Sequence, residues 1–333
     1  MKKGSFLLIL FMLVFVGEVY AQDALPIKRG VNITGLEAPF EGSWGIVIKD
    51  EYFELVKKAG FDHVRIPIRW NAHSLHEPPY TIKDYIFERV DHLVDEAFKN
   101  DLYVVINIHH FEEMMKEPEK YRDKFIALWE QIADHYQNYP ESLWFELLNE
   151  PCMNLNSDLW NDYLKEAIEV IRKTNPDRKI VVGPADWNNI NRLKDLKLPQ
   201  GDENIVVTFH YYNPFNFTHQ GAEWVSPSPP TGVKWSGSEE EKKAVERELD
   251  IAVDWSRNNG DVPLWMGEFG AYSKADLDSR VRWTEFVARS AEERNIAWAY
   301  WEFCSSFGIY DYLNKVWRIS LLKALVPDTK IEQ

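Results

Sequence analysis

From Arg29 to the C-terminus the chain repeats one pattern eight times, a short β-branched run followed by a longer stretch with one apolar helical face. The short runs fall at 30–33, 63–66, 103–107, 143–147, 179–182, 205–209, 264–267 and 297–300. They are apolar almost throughout, as parallel strands covered on both faces must be. Helical stretches fall at 82–100, 121–137, 158–175, 239–258 and 279–294. In the first of these, Phe87, Val90, Leu93, Val94, Ala97 and Phe98 are spaced by three and four. Asn100 and Asn175 stand where two of the helices should stop. Eight strand-then-helix units in series predict an α/β fold, a (β/α)8 TIM barrel forming a single catalytic domain over 22–333. A doubly wound sheet would carry a glycine-rich turn after its first strand, and none is present. One connection is long, from Tyr211 to about Ser238, and a loop of that length in a compact domain is usually functional.

Residues 1–21 fall outside the repeat. Lys2 and Lys3 precede an apolar run from Phe6 to Val16, and Val19-Tyr20-Ala21 ends it as a small-x-small cleavage site. That is the pattern of a secretory signal peptide. The run is too short to span a bilayer, so the expected product is secreted, extracellular or periplasmic, with no membrane association after cleavage. Export permits a disulfide, but Cys152 and Cys304 lie at strand ends on opposite sides of a barrel, and both read as small buried residues. A monomer is expected. The net charge of −15 repels phosphates and argues against a nucleic-acid partner. Fourteen Trp in an acidic chain suit a neutral polyhydroxylated ligand, whose sugar faces stack on indoles.

A barrel enzyme carries its chemistry at the C-terminal ends of its strands. Read in chain order, those ends supply Asn32 with Glu37 beyond it, Arg65, His109 and His110, Asn149 and Glu150, Trp187, His210 and Tyr212, Glu268, and Trp301. Two carboxylates at one mouth, with donors around them, suit cleavage of a glycosidic bond. One acid protonates the leaving oxygen, and the other attacks the anomeric carbon.

The segments RGVNITGLEAPF, HVRIPIRW, VVINIHH, WFELLNEP, VVGPADW, VTFHYYNPF, LWMGEFG and AYWEF resemble glycoside hydrolase family 5, in order and over nearly all of the chain after residue 21. The strongest element is Asn149-Glu150-Pro151 after an apolar strand, paired with Trp265-Met266-Gly267-Glu268-Phe269-Gly270. The chain is most similar to the single-domain bacterial endo-β-1,4-glucanases of that family, some of which also cut mannan. The resemblance implies a retaining mechanism that needs no cofactor. Glu150 would be the general acid and then base, its pKa raised by the neighbouring Glu268. Glu268 would be the nucleophile, held ionised by Arg65 and Tyr212. Asn149 would donate to the sugar 2-hydroxyl, and His210 would sit near Glu150. Asn32, Glu37, His109, His110 and His219 become candidate sugar contacts. Trp301 would be a stacking floor, with Trp187, Trp224 and Phe307 as further platforms. In one place the chain departs from its relatives: it reads Asn32-Ile33-Thr34-Gly35-Leu36-Glu37 where they run Asn-x-Gly-Asn before Leu-Glu. The departure touches the loop that shapes the glycone-side pocket.

Other readings compete at several positions. Trp44 and Trp70 read as core or rim. Barrel metallohydrolases typically need His-x-His with further ligands, and only the adjacent pair His109-His110 is present, so no metal is expected. The run Glu239-Glu240-Glu241-Lys242-Lys243 reads as a helix start suited to the macrodipole. Of two glycosylation sequons, that at Asn32 should be buried in the mouth. The expected substrate is a β-glucan or a mannan; mixed-linkage glucan and xyloglucan remain open, and a non-catalytic carbohydrate-binding barrel is the rival of a different class.

Overall fold

The computed structural model describes residues 25–332; the expected signal peptide lies outside the described residues. Eight parallel strands close into a barrel: β1 (Arg29–Asn32), β2 (His63–Ile68), β3 (Tyr103–Ile108), β4 (Leu143–Glu146), β5 (Ile180–Val182), β6 (Ile205–Tyr211), β7 (Leu264–Phe269) and β8 (Ala297–Tyr300). The ring shuts where β8 pairs with β1, Val31 opposite Tyr300. The barrel read from the sequence is therefore the observed fold. Strands β2, β3, β6 and β7 outrun their apolar segments by one or two residues. In β6 and β7 the added residues include the buried His210 and Glu268, so polarity does not end these strands, and both residues lie within them rather than after them.

The outer layer comprises α1 (Glu51–Ala59), α2 (Asp84–Lys99), α3 (Pro118–His135), α4 (Ser157–Arg172), α5 (Glu239–Asn258), α6 (Leu277–Glu292) and α7 (Ile319–Leu325). The charge run at 239–243 does open a helix: Ser238 and Glu241 form a reciprocal capping box. Asn100 caps α2, whereas Asn175 lies past the end of α4 and bonds Ala133 O through its amide. The eightfold helix repeat fails after β5. There the chain makes a left-handed turn at Asp186, Trp187 and Asn188 and then a short 3-10 turn, Ile190–Asp195. Pro184 and Pro199 bracket a segment with Asn188, Asn189 and Asn191, residues that favour turns over a continuous helix.

Alternation along the strands sorts side chains into two apolar clusters. Val104, Ile106, Ile108, Phe145 and Val207 pack outward against the helices. Val105, Trp144, Val181, Val206, Trp265, Ala297 and Ala299 point inward and plug the floor of the barrel with Ile27. His63 completes this floor. Its Nδ1 lies 2.6 Å from Asp62 Oδ1, and its Nε2 accepts the Trp265 indole N–H at 3.1 Å. Gly30 is required beside it, because a Cβ there would meet the His63 ring at 2.2 Å. Cys152 and Cys304 are free thiols, both buried.

Candidate active site

Two residues above the floor the inward positions turn polar: Asn32, Arg65, Asn107, Glu146 and Thr208 are all fully buried. Arg65 organises them. A guanidinium has five N–H donors, and here each meets an acceptor. Nε and Nη2 grip Glu146, the latter at 2.9 Å; Nη2 also reaches Asn149 Oδ1 at 2.7 Å. Nη1 reaches Glu268 Oε1 at 2.6 Å and Asn32 Oδ1 at 2.9 Å. Burial works against the charge of Arg65, but Glu146 and Glu268 more than offset it and hold its pKa above the ordinary value.

Glu268 is thus anchored on both oxygens, since the Tyr212 hydroxyl donates to its Oε2 at 2.9 Å. Burial raises Glu268 above its ordinary value and the nearby Glu150 adds to this, while His210, Arg65 and the Tyr212 bond pull it part of the way back. Burial also pushes the Tyr212 phenol far up, so it keeps the proton it donates. Glu150 follows β4 in a left-handed conformation (φ 49°) and touches no arginine; His210 Nδ1 lies 2.8 Å from its Oε1. Its side chain keeps 26% of its surface open, at the bottom of a cleft. Desolvation pushes Glu150 up to about 7; Arg65 opposes that shift and Glu146 adds to it. Glu146 is thus a like charge that adds to burial at Glu150, while the repulsion between Glu150 and Glu268 expected from the sequence is felt at Glu268, which Glu150 pushes upward. Burial pushes both acids above the ordinary carboxylate range, and of the two only Glu268 has a guanidinium on it.

The histidines are neutral. Burial pushes His210, His110 and His219 down to about 4 and His109 well below its ordinary value. His109 is buried, accepts from Asn107 Nδ2 at 3.1 Å, and stacks parallel to Trp301 at 5.8 Å. His110 turns edge-on to Trp44 at 5.5 Å. Trp44 is 55% exposed, so it is a rim residue beside His110 and not core; Trp70 is core. The loop carrying Trp44 is pinned because Arg89 grips both Glu41 oxygens at 2.9 Å. Sequence offered no signal for that clamp.

On the Glu150 side lies a cleft of about 950 Å³ lined by Met153, Trp187, Phe215, His219 and Trp224, among others. Trp187 and Trp224 are more than half exposed there, as platforms must be. His219 is largely covered and stacks on Phe215 at 4.2 Å, so it forms wall more than contact. Two expected sugar contacts need correction. Phe307 is 3% exposed, packed against Tyr272, and backs Tyr212 instead of offering a face. Asn32 is fully buried, with its Oδ1 on Arg65 and its Nδ2 on the carbonyls of Gly267 and Tyr300, so it fastens the mouth and cannot reach a ligand. Glu37 folds back onto Gly35 N, and burial pushes it to about 7 against the pull of that bond. Its loop is tied down by Thr34, whose hydroxyl donates to the buried Glu302 at 3.1 Å.

Glu146, Glu302 and Asn188 were missed. Glu146 does carry a signal, a charge inside the apolar run Leu143–Leu148, two positions beyond the inward Trp144. One atom each of Glu150, His210 and Glu268 lies within 4.8 Å of the others, a spacing a cation can bridge. The Arg65 guanidinium on Glu268 is the wrong neighbour for one. Asp50, His92 and Glu96 make a similar group at the surface.

A family model described as cellulase (glycosyl hydrolase family 5) matches residues 26–306. Endoglucanase H of Acetivibrio thermocellus is 36% identical over 277 residues, which span 82% of this chain and 29% of that much longer protein. A structure of Thermotoga maritima Cel5A in complex with mannotriose superposes with a TM-score of 0.88 at 52% identity, covering 90% of this chain and 97% of the other. The same protein in complex with cellobiose gives 0.88 at 53%, with the same coverage.

Proposed function

The chain belongs to glycosyl hydrolase family 5 and is a glycoside hydrolase, and from that premise we propose that it is a secreted, retaining endo-β-1,4-glucanase. One observation carries the mechanism: oxygens of Glu150 and Glu268 lie within 4.8 Å of one another. Inverting enzymes hold the pair roughly 6.5–9.5 Å apart to admit a water between them, and retaining ones about 5–5.5 Å. Glu268 attacks the anomeric carbon as the bond to the leaving oxygen breaks, and the Glu150 proton passes to that oxygen. A covalent glycosyl–Glu268 ester results. Glu150, now ionised, takes a proton from water, whose oxygen displaces Glu268 and restores the starting configuration. Asn149 has its Oδ1 held by Arg65, which leaves its Nδ2 to donate to the sugar 2-hydroxyl. Trp301 floors the glycone side, and Trp187 and Trp224 receive the leaving chain.

Secretion rests on the 1–21 pattern. Endoglucanase action rests on the relatives, of which the chain spans less than a third in Endoglucanase H. Mannan is a second substrate worth testing, because the mannotriose complex belongs to a protein 52% identical to this one. The test is reducing-sugar release from carboxymethyl cellulose, barley β-glucan, glucomannan and xylan, with proton NMR of the first anomer formed from cellopentaose. Release from glucans with the β-anomer appearing first supports the reading. The α-anomer first would sink the retaining mechanism, and no release would sink the glucanase.

A further inference from the structure

Three consecutive non-glycine residues, Asp186, Trp187 and Asn188, stand in the left-handed region, with φ of 64°, 61° and 52°. A run of this kind is disfavoured for L-residues and persists only where its surroundings impose it, most often at functional sites. Here Trp187 N donates to Pro151 O, in the chain just after Glu150, and Asp186 pairs with Arg192. The turn sends Trp187 out to the cleft and Asn188 inward, where Asn188 is completely buried. Its Nδ2 lies 3.2 Å from His210 Nε2. Its Oδ1 meets no donor among the described residues and faces Gly183, where a Cβ would come within 2.4 Å of it. Gly183 thus makes room for this amide.

An amide N–H can bond Nε2 only if that nitrogen bears a lone pair. A neutral imidazole then carries its proton on Nδ1, the atom 2.8 Å from Glu150 Oε1. With Nδ1–H donating to it, Oε1 stays an acceptor, and the proton of the acid must sit on Oε2, which has no protein partner among the described residues. We propose that Asn188 is a positioning residue: it fixes the tautomer of His210 and through it assigns the catalytic proton to Oε2 of Glu150. The inference rests on the reading of Glu150 as the proton donor. Around His210 stand Glu150 and Glu146 from the β4 segment, Glu268 from β7 with Oε2 at 3.5 Å from Nδ1, Arg65 from β2, and the neutral His109 from β3. Among the described residues only Asn188 addresses Nε2, and the imidazole is 1% exposed, so bulk solvent does not choose the tautomer.

The direct test is long-range proton–nitrogen NMR of the wild-type protein labelled at histidine ring nitrogens. The expected spectrum shows His210 neutral and protonated at Nδ1. Protonation at Nε2 would mean the amide is turned over, and overturns the proposal whatever the activity. Asn188→Asp supplies an acceptor only, so it should move the proton to Nε2 and draw the Glu150 proton onto Oε1. Its kcat/KM on cello-oligosaccharides should fall at least about ten-fold, against less than about three-fold on dinitrophenyl cellobioside, whose leaving group needs no proton. The alkaline limb of its pH profile should shift as well. Gly183→Ala, which pushes the amide away without touching the site, should give the same split between substrates. Equal losses on both, with unmoved pH profiles, would leave Asn188 a structural residue and overturn the assignment.

Discussion

The floor and the mouth of the barrel are two layers of the same inward positions, two residues apart on the same strands, and nearly equally buried. Val105 gives way to Asn107, Trp144 to Glu146, Val206 to Thr208, and His63 to Arg65. Below, indoles and aliphatic chains fill the space, and the one imidazole has both nitrogens matched by Asp62 and Trp265. Above, one guanidinium holds two carboxylates and two amides in a buried site. Burying charge is costly even when it is paired, and apolar replacements of similar volume often stabilise. The mouth therefore is not there for stability. Floor changes should cost stability and spare turnover, and mouth changes the reverse.

The largest expected effect breaks the mouth. Glu268→Ala should lower kcat by on the order of 10⁴–10⁶. Its melting temperature should move by only a few degrees, because Arg65 keeps Glu146. Azide should restore turnover as a glycosyl azide. Collapse of the fold in this variant would erase the contrast between the layers. Next, Glu150→Ala should cost roughly 10²–10⁴ on cello-oligosaccharides and far less on activated aryl glycosides. Equal losses on both would remove the proton-donor role. Third, Trp265→Ala in the floor should cost about 3–5 kcal/mol in chemical denaturation, with kcat per folded molecule unchanged. A fallen kcat would show that the layers are coupled.

The smallest effect is in pH. Glu150 is raised from about 4.5 to about 7, so kcat/KM on unactivated substrates should fall as pH climbs through about 7, where the acid loses its proton. The linkage to stability has the same sign. A carboxyl raised on folding contributes fully below its unfolded value and loses that contribution as pH rises through its folded one. Glu37, raised to about 7, behaves likewise, so Glu37→Gln should flatten the decline in melting temperature between about pH 4.5 and 7. An unchanged slope would show that Glu37 stays ionised in its loop.

The barrel could be read in the sequence because it is written in regular intervals, and those intervals placed the candidate acids at its mouth. Apolar runs mark the strands, and Glu150, Tyr212 and Glu268 follow or end them. Glu146 was missed because a charge inside an apolar run reads as part of the core until its partner Arg65 is known to face it. Asn188 was out of reach, since a left-handed turn leaves no period in a sequence. Asn32 was over-read for the converse reason: it ends a strand like a ligand contact, yet neighbouring backbone consumes its amide. Trp44 depends on a distant clamp, Arg89 on Glu41, which no local pattern announces.

The pairing of Val31 with Tyr300 sets the order in which this molecule can be made. The first strand finds its second neighbour only when the last strand arrives, so closure is the most non-local event in the chain, and non-local pairing is slow. Until then β1 and β7 are open edges, able to recruit strands from other molecules. A chain that leaves the ribosome N-terminus first stays an unclosed sheet until β8 emerges, and a version cut after β7 never leaves that state. Its hazard is aggregation, and the remedy is β8 itself.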